Sequence, residues 1–345
     1  MAKGLEMLCT RAENLAARDR SSTTLVGPTA TVQQHLNASL VNAMYHCWLH
    51  LLKLPESYSE GVSSILQPAI DALRTTYLKI TDPLLSAIRL DASSIINRVH
   101  RLNFADKSDD PMSHGMGASS LYIQELAEKL AFVRVEILSK YNVGELGQQW
   151  CLDLARHLLR TFVLHVSIIK PLGESGKMQL ISDIPGFEFA IDTMLREGIA
   201  QGTTKLGWKL DAVGMDYFAL KAFRQLLFSD NEDLAKPERT NDVPSLIVLH
   251  HILVRSPLPL PHELHGWQES QYVRFIEEHT DDEVLSVLEQ GLKHWRAKML
   301  SDIEDADDLG PPGNQKKQEK ERELNVGETF VALASKVLQN ARMGL

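Results

Sequence analysis

Apolar residues return every three or four positions along most of this chain, the spacing that lines up one face of an α-helix. Residues 29–54 contain no Gly or Pro, and Leu36, Leu40, Ala43, Cys47 and Leu51 fall on one face. Pro28 suits a first helical turn. A second periodic segment covers 62–80, and Asp82 in "TDP" can cap a new helix opening at Pro83 and running to about His100. In 121–141 the recurring positions are Leu126, Leu130, Val133, Ile137 and Tyr141. Leu146, Trp150, Leu154, Leu158, Phe162 and Val166 repeat the pattern in the next segment. Residues 211–228 and 244–254 read as further helices. Thr280 and Glu283 form a capping box ahead of Val284, Leu288, Leu292 and Trp295.

No two alternating runs are joined by an Asn-Gly or Asp-Gly turn, so no hairpin is predicted. The expected class is all-α, built as a stack of antiparallel helical bundles. No fixed-period repeat marks a regular solenoid. Breaks in the pattern divide the chain into an N-terminal bundle (1–105), a loop (106–117), C-terminal bundles (118–300), a charged linker (301–323) and a terminal amphipathic helix (324–345). The loop is the Gly/Ser/Asp-rich "FADKSDDPMSHGMGASS"; the linker sets an acidic cluster, a Gly/Pro break and a mixed-charge run back to back. Asn325 and Glu328 can cap the last helix, whose stripe is Phe330, Leu333, Ala334, Val337 and Leu338.

Composition adds little that contradicts this. Of 345 residues, 44% are hydrophobic and 23% charged, as in ordinary globular chains. A net charge of -9 argues against a nucleic-acid binder. The N-terminus has no continuous apolar core of a secretory signal. The longest apolar run, 161–169, includes His165 and stops at Lys170, short of the roughly 20 residues that span a bilayer. Cys9, Cys47 and Cys151 stand far apart, the pattern of reduced, packed thiols. The sequon at Asn37 matters only in a secreted chain. The expectation is a soluble protein facing the cytosol.

Several stretches imitate chemistry. "KPLGESGKM" ends in Gly176-Lys177 like a phosphate loop, which would make the chain a nucleotide hydrolase. The pattern fails twice. Pro171 occupies the first glycine position, and Met178 stands where a magnesium-binding hydroxyl belongs. The stretch reads better as a corner between helices, with Pro171 ending one, Gly173 and Gly176 giving turn geometry, and Lys177 in solvent. "HCWLH" places His46 and His50 one turn apart, but Cys47 stands where a metalloprotease carries its glutamate, so both read as packing residues. His250 and His251 are adjacent and point to different faces. "GMGASS" lacks the third glycine of a dinucleotide loop. "SPLPLPHELHGW" reads as a stiff connector rather than an SH3 ligand. No catalytic constellation emerges, so no enzyme activity, cofactor or metal is expected. The candidate partner-binding residues are Phe330, Leu333, Val337 and Leu338.

Three stretches carry a resemblance: "AENLAARDRSSTTLVGPTATVQQHLNASLVNAMYHCW", "FVLHVSIIKPLGESGKMQLISDIPGFEFAI" and "LHHILVRSPLPLPHELHGWQESQYVRFIEEHTDDE". They are similar to the subunit 5 family of the conserved oligomeric Golgi complex, in its C-terminal portion, most firmly over 161–295. Lys170, Pro171, Leu172, Gly173, Gly176, Lys177 and Met178 match the family's own Arg/Lys-PLG and GKM pattern. The resemblance implies an elongated helical rod and a non-enzymatic subunit of a vesicle tether. It further implies a peripheral place on the cytosolic face of Golgi membranes, in retrograde intra-Golgi transport. Implied partners are subunit 7 first, then 6 and 8, with fusion proteins and small GTPases as further contacts and only indirect membrane association. A helical adaptor outside the Golgi is the alternative with the same fold. The family carries a long N-terminal portion with coiled-coil character ahead of the matched region.

Overall fold

The structure, a computed structural model, describes residues 2–16, 30–53, 60–105, 119–196, 209–307 and 313–343. Among them run, in order, α1 (Ala2–Ala16), α2 (Val32–Leu51), α3 (Glu60–Ile96), α4 (Leu121–Phe132), α5 (Glu145–Ser167) and α6 (Glu174–Arg196). Then follow α7 (Met215–Leu226), α8 (Pro237–Thr240), α9 (Ser245–Val254), α10 (Pro261–His265), α11 (Glu269–Glu278), α12 (Asp281–Asp307) and α13 (Gly313–Met343). No described residue lies in a strand, and the fold is all-α as the periodicity requires. Pro28, the 106–117 loop and the glycines of "GMGASS" lie outside the described residues.

The chain divides into two compact units. One comprises Met1–Ile95, Ile123–Leu158 and Phe187–Ala212; the other comprises Ile96–Tyr122, Leu159–Gly186 and Val213–Leu345.

The backbone of the first unit is α3, and here the sequence expectation needs correction. No helix ends at Ile80 or opens at Pro83: α3 runs 37 residues with Pro68 and Pro83 inside it. A proline costs a helix interior about 3 kcal/mol. Against that, Leu66, Ile70, Leu73, Tyr77, Leu84, Ile88, Ala92 and Ile95 form one buried stripe that passes both prolines without a break in phase. Burying each large side chain is worth about 1.5–3 kcal/mol. The continuous stripe outweighs the local defect. Buried Thr81 adds a hydroxyl bond to the Leu78 carbonyl, 2.9 Å, in the turn before Pro83.

Helix α2 forms where expected, closed by a capping box between Thr31 and Gln34. Its buried face is different. Ala38, Val41, Met44 and Leu51 are buried, whereas Leu36 is 46% exposed. Both rows are apolar, so periodicity alone cannot choose between them. Asn42 takes part in the choice, donating to the Lys140 carbonyl (2.8 Å) and accepting from the Asn142 N–H (2.7 Å). The segment after α4 keeps its three-and-four spacing through a π-helical turn, Val133–Ile137, and a 3-10 turn, Leu138–Lys140. The helix predicted from Asp211 starts later. A 3-10 turn covers Leu210–Val213, and Gly214, at φ +85°, separates it from α7.

In the second unit α9 is the central element, with every residue from Ile247 to Val254 buried. α12 opens on the predicted capping box, with the Thr280 N–H bonded to Glu283 at 2.8 Å. Its partner α13 begins far upstream of Asn325 and Glu328, so neither residue caps it. Glu328 instead meets Arg296 of α12 at 2.6 Å, while Asp302 meets Lys320 and Glu289 meets Arg342. That order of pairs makes the two helices antiparallel. Exposed pairs of this kind contribute about 0–1 kcal/mol each. The closer constraint is apolar. A Cβ on Gly327 would lie 2.0 Å from Trp295 Cη2, so the indole rests directly on the α13 backbone.

Alanine in a helix interior normally outperforms glycine by about 1 kcal/mol. At Gly327 the sign should reverse. Gly327→Ala is expected to lose about 1–3 kcal/mol through overpacking, read as a lowered urea midpoint. A midpoint that stays level or rises would show that Trp295 does not depend on this contact.

Candidate functional site

Buried polar side chains of the second unit include His165, Ser167 and Asp183, on the helices α5 and α6 that meet at a corner. The corner is real: α5 ends at Ser167, α6 begins at Glu174, and residues 168–173 connect them through a cis Lys170–Pro171 bond. The glycines act differently from expectation. Neither Gly173 nor Gly176 has a positive φ. The Gly173 N–H donates to the Phe104 carbonyl at 2.8 Å. A Cβ on Gly176 would stand 2.3 Å from that same oxygen. Glycine is needed here for close approach of two backbones. Lys177 is not in open solvent: its side chain is 14% exposed and paired with Glu174 at 2.6 Å.

These contacts give no support to a phosphate loop at Gly176 and Lys177. Residues 163–167 are helical rather than an inner strand, and the loop amide of Gly173 already serves Phe104.

Lys170 turns inward. Its ammonium donates to the carbonyls of Leu253 (3.2 Å), Ser256 (3.0 Å) and Leu258 (2.6 Å). Thus the "KPLG" corner grips the "SPLPLP" connector, two stretches some eighty residues apart. The connector is no exposed ligand, since Leu258 and Leu260 are fully buried. Burial draws the Lys170 pKa down, against the pull of Glu263.

Behind the corner runs a hydrogen-bonded chain of buried side chains. Ser167 Oγ donates to the Leu164 carbonyl at 2.8 Å, which leaves it an acceptor for His250 Nδ1 at 2.9 Å. In the neutral ring Nε2 is then the acceptor for the Tyr272 hydroxyl, also 2.9 Å. Burial is what keeps this ring neutral. His100 Nε2 and His165 Nδ1 lie 3.0 Å apart nearby. Asp183, fully buried, accepts from the Ser120 N–H (2.7 Å), the Ser120 hydroxyl (2.8 Å), the Tyr122 hydroxyl (3.0 Å) and Gln179 (3.0 Å). Four donors let the carboxylate stay in the core without a cation.

A cavity of about 410 Å³ opens beside the corner, lined by residues of 100–104, 168–171 and 262–269. His262 is 7% exposed, and its Nδ1 has no hydrogen-bond partner.

The predicted partner-binding residues lie elsewhere in this unit. Val337 and Leu338 are buried, Phe330 and Leu333 half-buried. In the first unit His46 and His50 are both exposed, so neither is the packing residue expected. Among the described residues no group of three His, Cys, Asp or Glu side chains could hold a metal. Burial pushes the Cys151 thiol up to about 12, which makes it unreactive. No described helix is long and apolar enough to cross a membrane. Sequence reasoning missed Lys170, Asp183 and the histidine chain. Their types and positions were legible, but apart from Gln179 their partners lie 22 to 88 residues away.

The class so defined is an all-α protein whose buried polar groups lock helices together. Comparison with known proteins then narrows it. The chain is 26% identical over 314 residues to conserved oligomeric Golgi complex subunit 5 of Arabidopsis thaliana, covering 87% of this chain and 36% of that protein. It is 24% identical over 297 residues to the subunit 5 of Mus musculus (84% and 34%) and 23% over 308 residues to that of Drosophila melanogaster (84% and 38%). The resemblance read from the three stretches therefore extends along most of the chain. The chain spans about a third of the length of these relatives. No family model matches, and no solved structure matches.

Burial lowers His100 to about 4 and His165, His250 and His251 to about 3. An unfolded histidine titrates near 6.5. The fold holds these rings neutral, so their contribution is complete above pH 6.5 and is lost progressively as pH falls through their folded values, about 4 for His100 and about 3 for the others. Carboxylates mostly titrate lower, so urea midpoints at pH 7, 6 and 5 isolate the histidines. The midpoint should fall across that range, corresponding to a loss of at most about 1.4 kcal/mol per ring per pH unit. A flat profile would contradict neutral buried rings.

Proposed function

We propose that this chain is a non-enzymatic subunit of a multisubunit vesicle-tethering complex at the Golgi. It acts in retrograde intra-Golgi transport on the cytosolic face, with peripheral and indirect membrane association. The observation that carries this reading is the similarity to the same named subunit in a plant, a mouse and a fly over 84% to 87% of the chain. Two structural features support it. The helical scaffold is held by long buried stripes, as a spacer requires. The polar side chains of the corner are engaged in fixing backbone and one another, rather than arrayed around a reacting atom.

The partners that follow are other subunits of the complex, subunit 7 first and then 6 and 8, with fusion proteins and small GTPases as further contacts. Co-purification of the tagged chain from cells tests this. Recovery of the other Golgi tether subunits in stable proportion is expected. A tagged chain that folds, reaches the cytosol and brings none of them would sink the proposal and leave the helical adaptor outside the Golgi.

For the α13 stripe the proposal narrows to its half-buried members. Phe330 and Leu333 are available to a partner helix, while Val337 and Leu338 secure α13 within its unit. Paired truncation of Phe330 and Leu333 to Ala should weaken capture of a neighbouring subunit by about tenfold, as for an anchor residue, with the thermal midpoint little changed. Unaltered capture would assign the whole stripe to packing.

A further inference from the structure

The cavity beside the α5–α6 corner carries an inference that rests on reading this chain as a subunit of an assembly. We infer that it is a socket for a guanidinium group, presented by an arginine side chain of a partner protein.

Its volume, about 410 Å³, lies in the range of ordinary ligand sites. Its charged lining is uneven, two carboxylates, Glu263 and Glu269, against one ammonium, Lys170. Lys170 is already committed to three carbonyls, and Glu263 is the acid that acts on it electrostatically. Glu263 also accepts the Leu260 N–H at 2.6 Å. Glu269, half-buried at the start of α11, is the carboxylate left over. An anion would meet two acids and two neutral imidazoles, His100 and His262, so the site selects a cation.

Two features favour guanidinium over an ammonium or a bare ion. Trp267 lines the cavity as part of an aromatic run: it stacks on His265 at 4.6 Å and meets Phe275 at 5.3 Å. A planar cation lies well on such a ring. His262 Nδ1, buried and without a partner, can accept an N–H from the same plane while Glu269 takes another pair. A buried ring nitrogen left unpaired costs stability, and an incoming donor would remove that cost. Burial lowers the His262 pKa, which keeps the ring an acceptor at neutral pH.

The test uses the full chain with ¹³C-labelled histidine and two capped probes, N-acetyl-arginine methylamide and its lysine counterpart, with free arginine as a third arm. Saturable shifts of the His262 and His100 ring signals are expected with the arginine probe and weaker ones with lysine. Glu269→Gln should weaken arginine binding about tenfold, the loss typical of a charged hydrogen bond, while leaving the unliganded thermal midpoint unchanged. Trp267→Leu should weaken it independently. Shifts that never saturate, or that persist equally in Glu269→Gln, would overturn the socket and leave a water-filled cavity. Free arginine binding more tightly than the capped probe would assign the cavity to a small molecule and overturn the partner side chain. None of these results bears on whether the chain co-purifies with Golgi tether subunits, so the two readings fail separately.

Discussion

The carbonyl oxygens at and after the end of α9 lie among largely buried residues, and the second unit depends on how they are answered. α9 is buried on every side from Ile247 to Val254, so its C-terminal carbonyls are carried inward. A helix leaves its last carbonyls without partners inside itself. Lys170 supplies donors from the opposite segment, one ammonium for three oxygens, and shares the Leu253 carbonyl with Ser256. A neutral side chain could not serve three acceptors so compactly. The corner must bend where it does because Lys170 has to arrive at that point.

Arg255 repeats the principle at the other side of α9, donating to the carbonyls of Leu227 and Ser229 at the end of α7. Asp183 inverts it, bringing a buried acceptor to donors at the start of α4. In each case a charged group is held by backbone and neutral side-chain groups rather than by an ion pair. Such an arrangement fixes geometry more than it adds net stability, because desolvating an ion offsets much of what its bonds return. Such joints hold the helices in fixed positions. They also explain why a sequence scan for chemistry circles this corner: lysine, glycine and histidine are the residues of catalysis and equally those of tight helical joints.

Periodicity alone carried the fold class, the existence of α2, α5, α9 and α12, and the capping box at Thr280 and Glu283. These depend on neighbours three or four residues away, a distance at which the pattern of side chains and the helix geometry constrain each other directly. The resemblance to the Golgi subunit was also legible, in the "KPLG", "GKM" and "SPLPLP" stretches. What those stretches do was not. Proline at 83 looked like an end because its local cost is visible in sequence, whereas the stripe that overrides it gains value only when another helix covers it. Likewise 313–323 looked incapable of structure because its charges bury nothing; Asp302 and Glu328 become partners only once α13 lies along α12.

The tertiary structure alone decided which apolar face of α2 turns inward, why residue 176 must be glycine, where Lys170 points, and which nitrogen of His262 is left without a partner. Each of these is set by an atom distant in sequence: a carbonyl at Phe104, a connector after α9, a cavity wall at Glu269. Local spacing determines how a helix turns, but a helix has several faces that satisfy the same spacing. Only the contacts between helices choose among them, because the free energy of burial belongs to pairs of surfaces and not to either one.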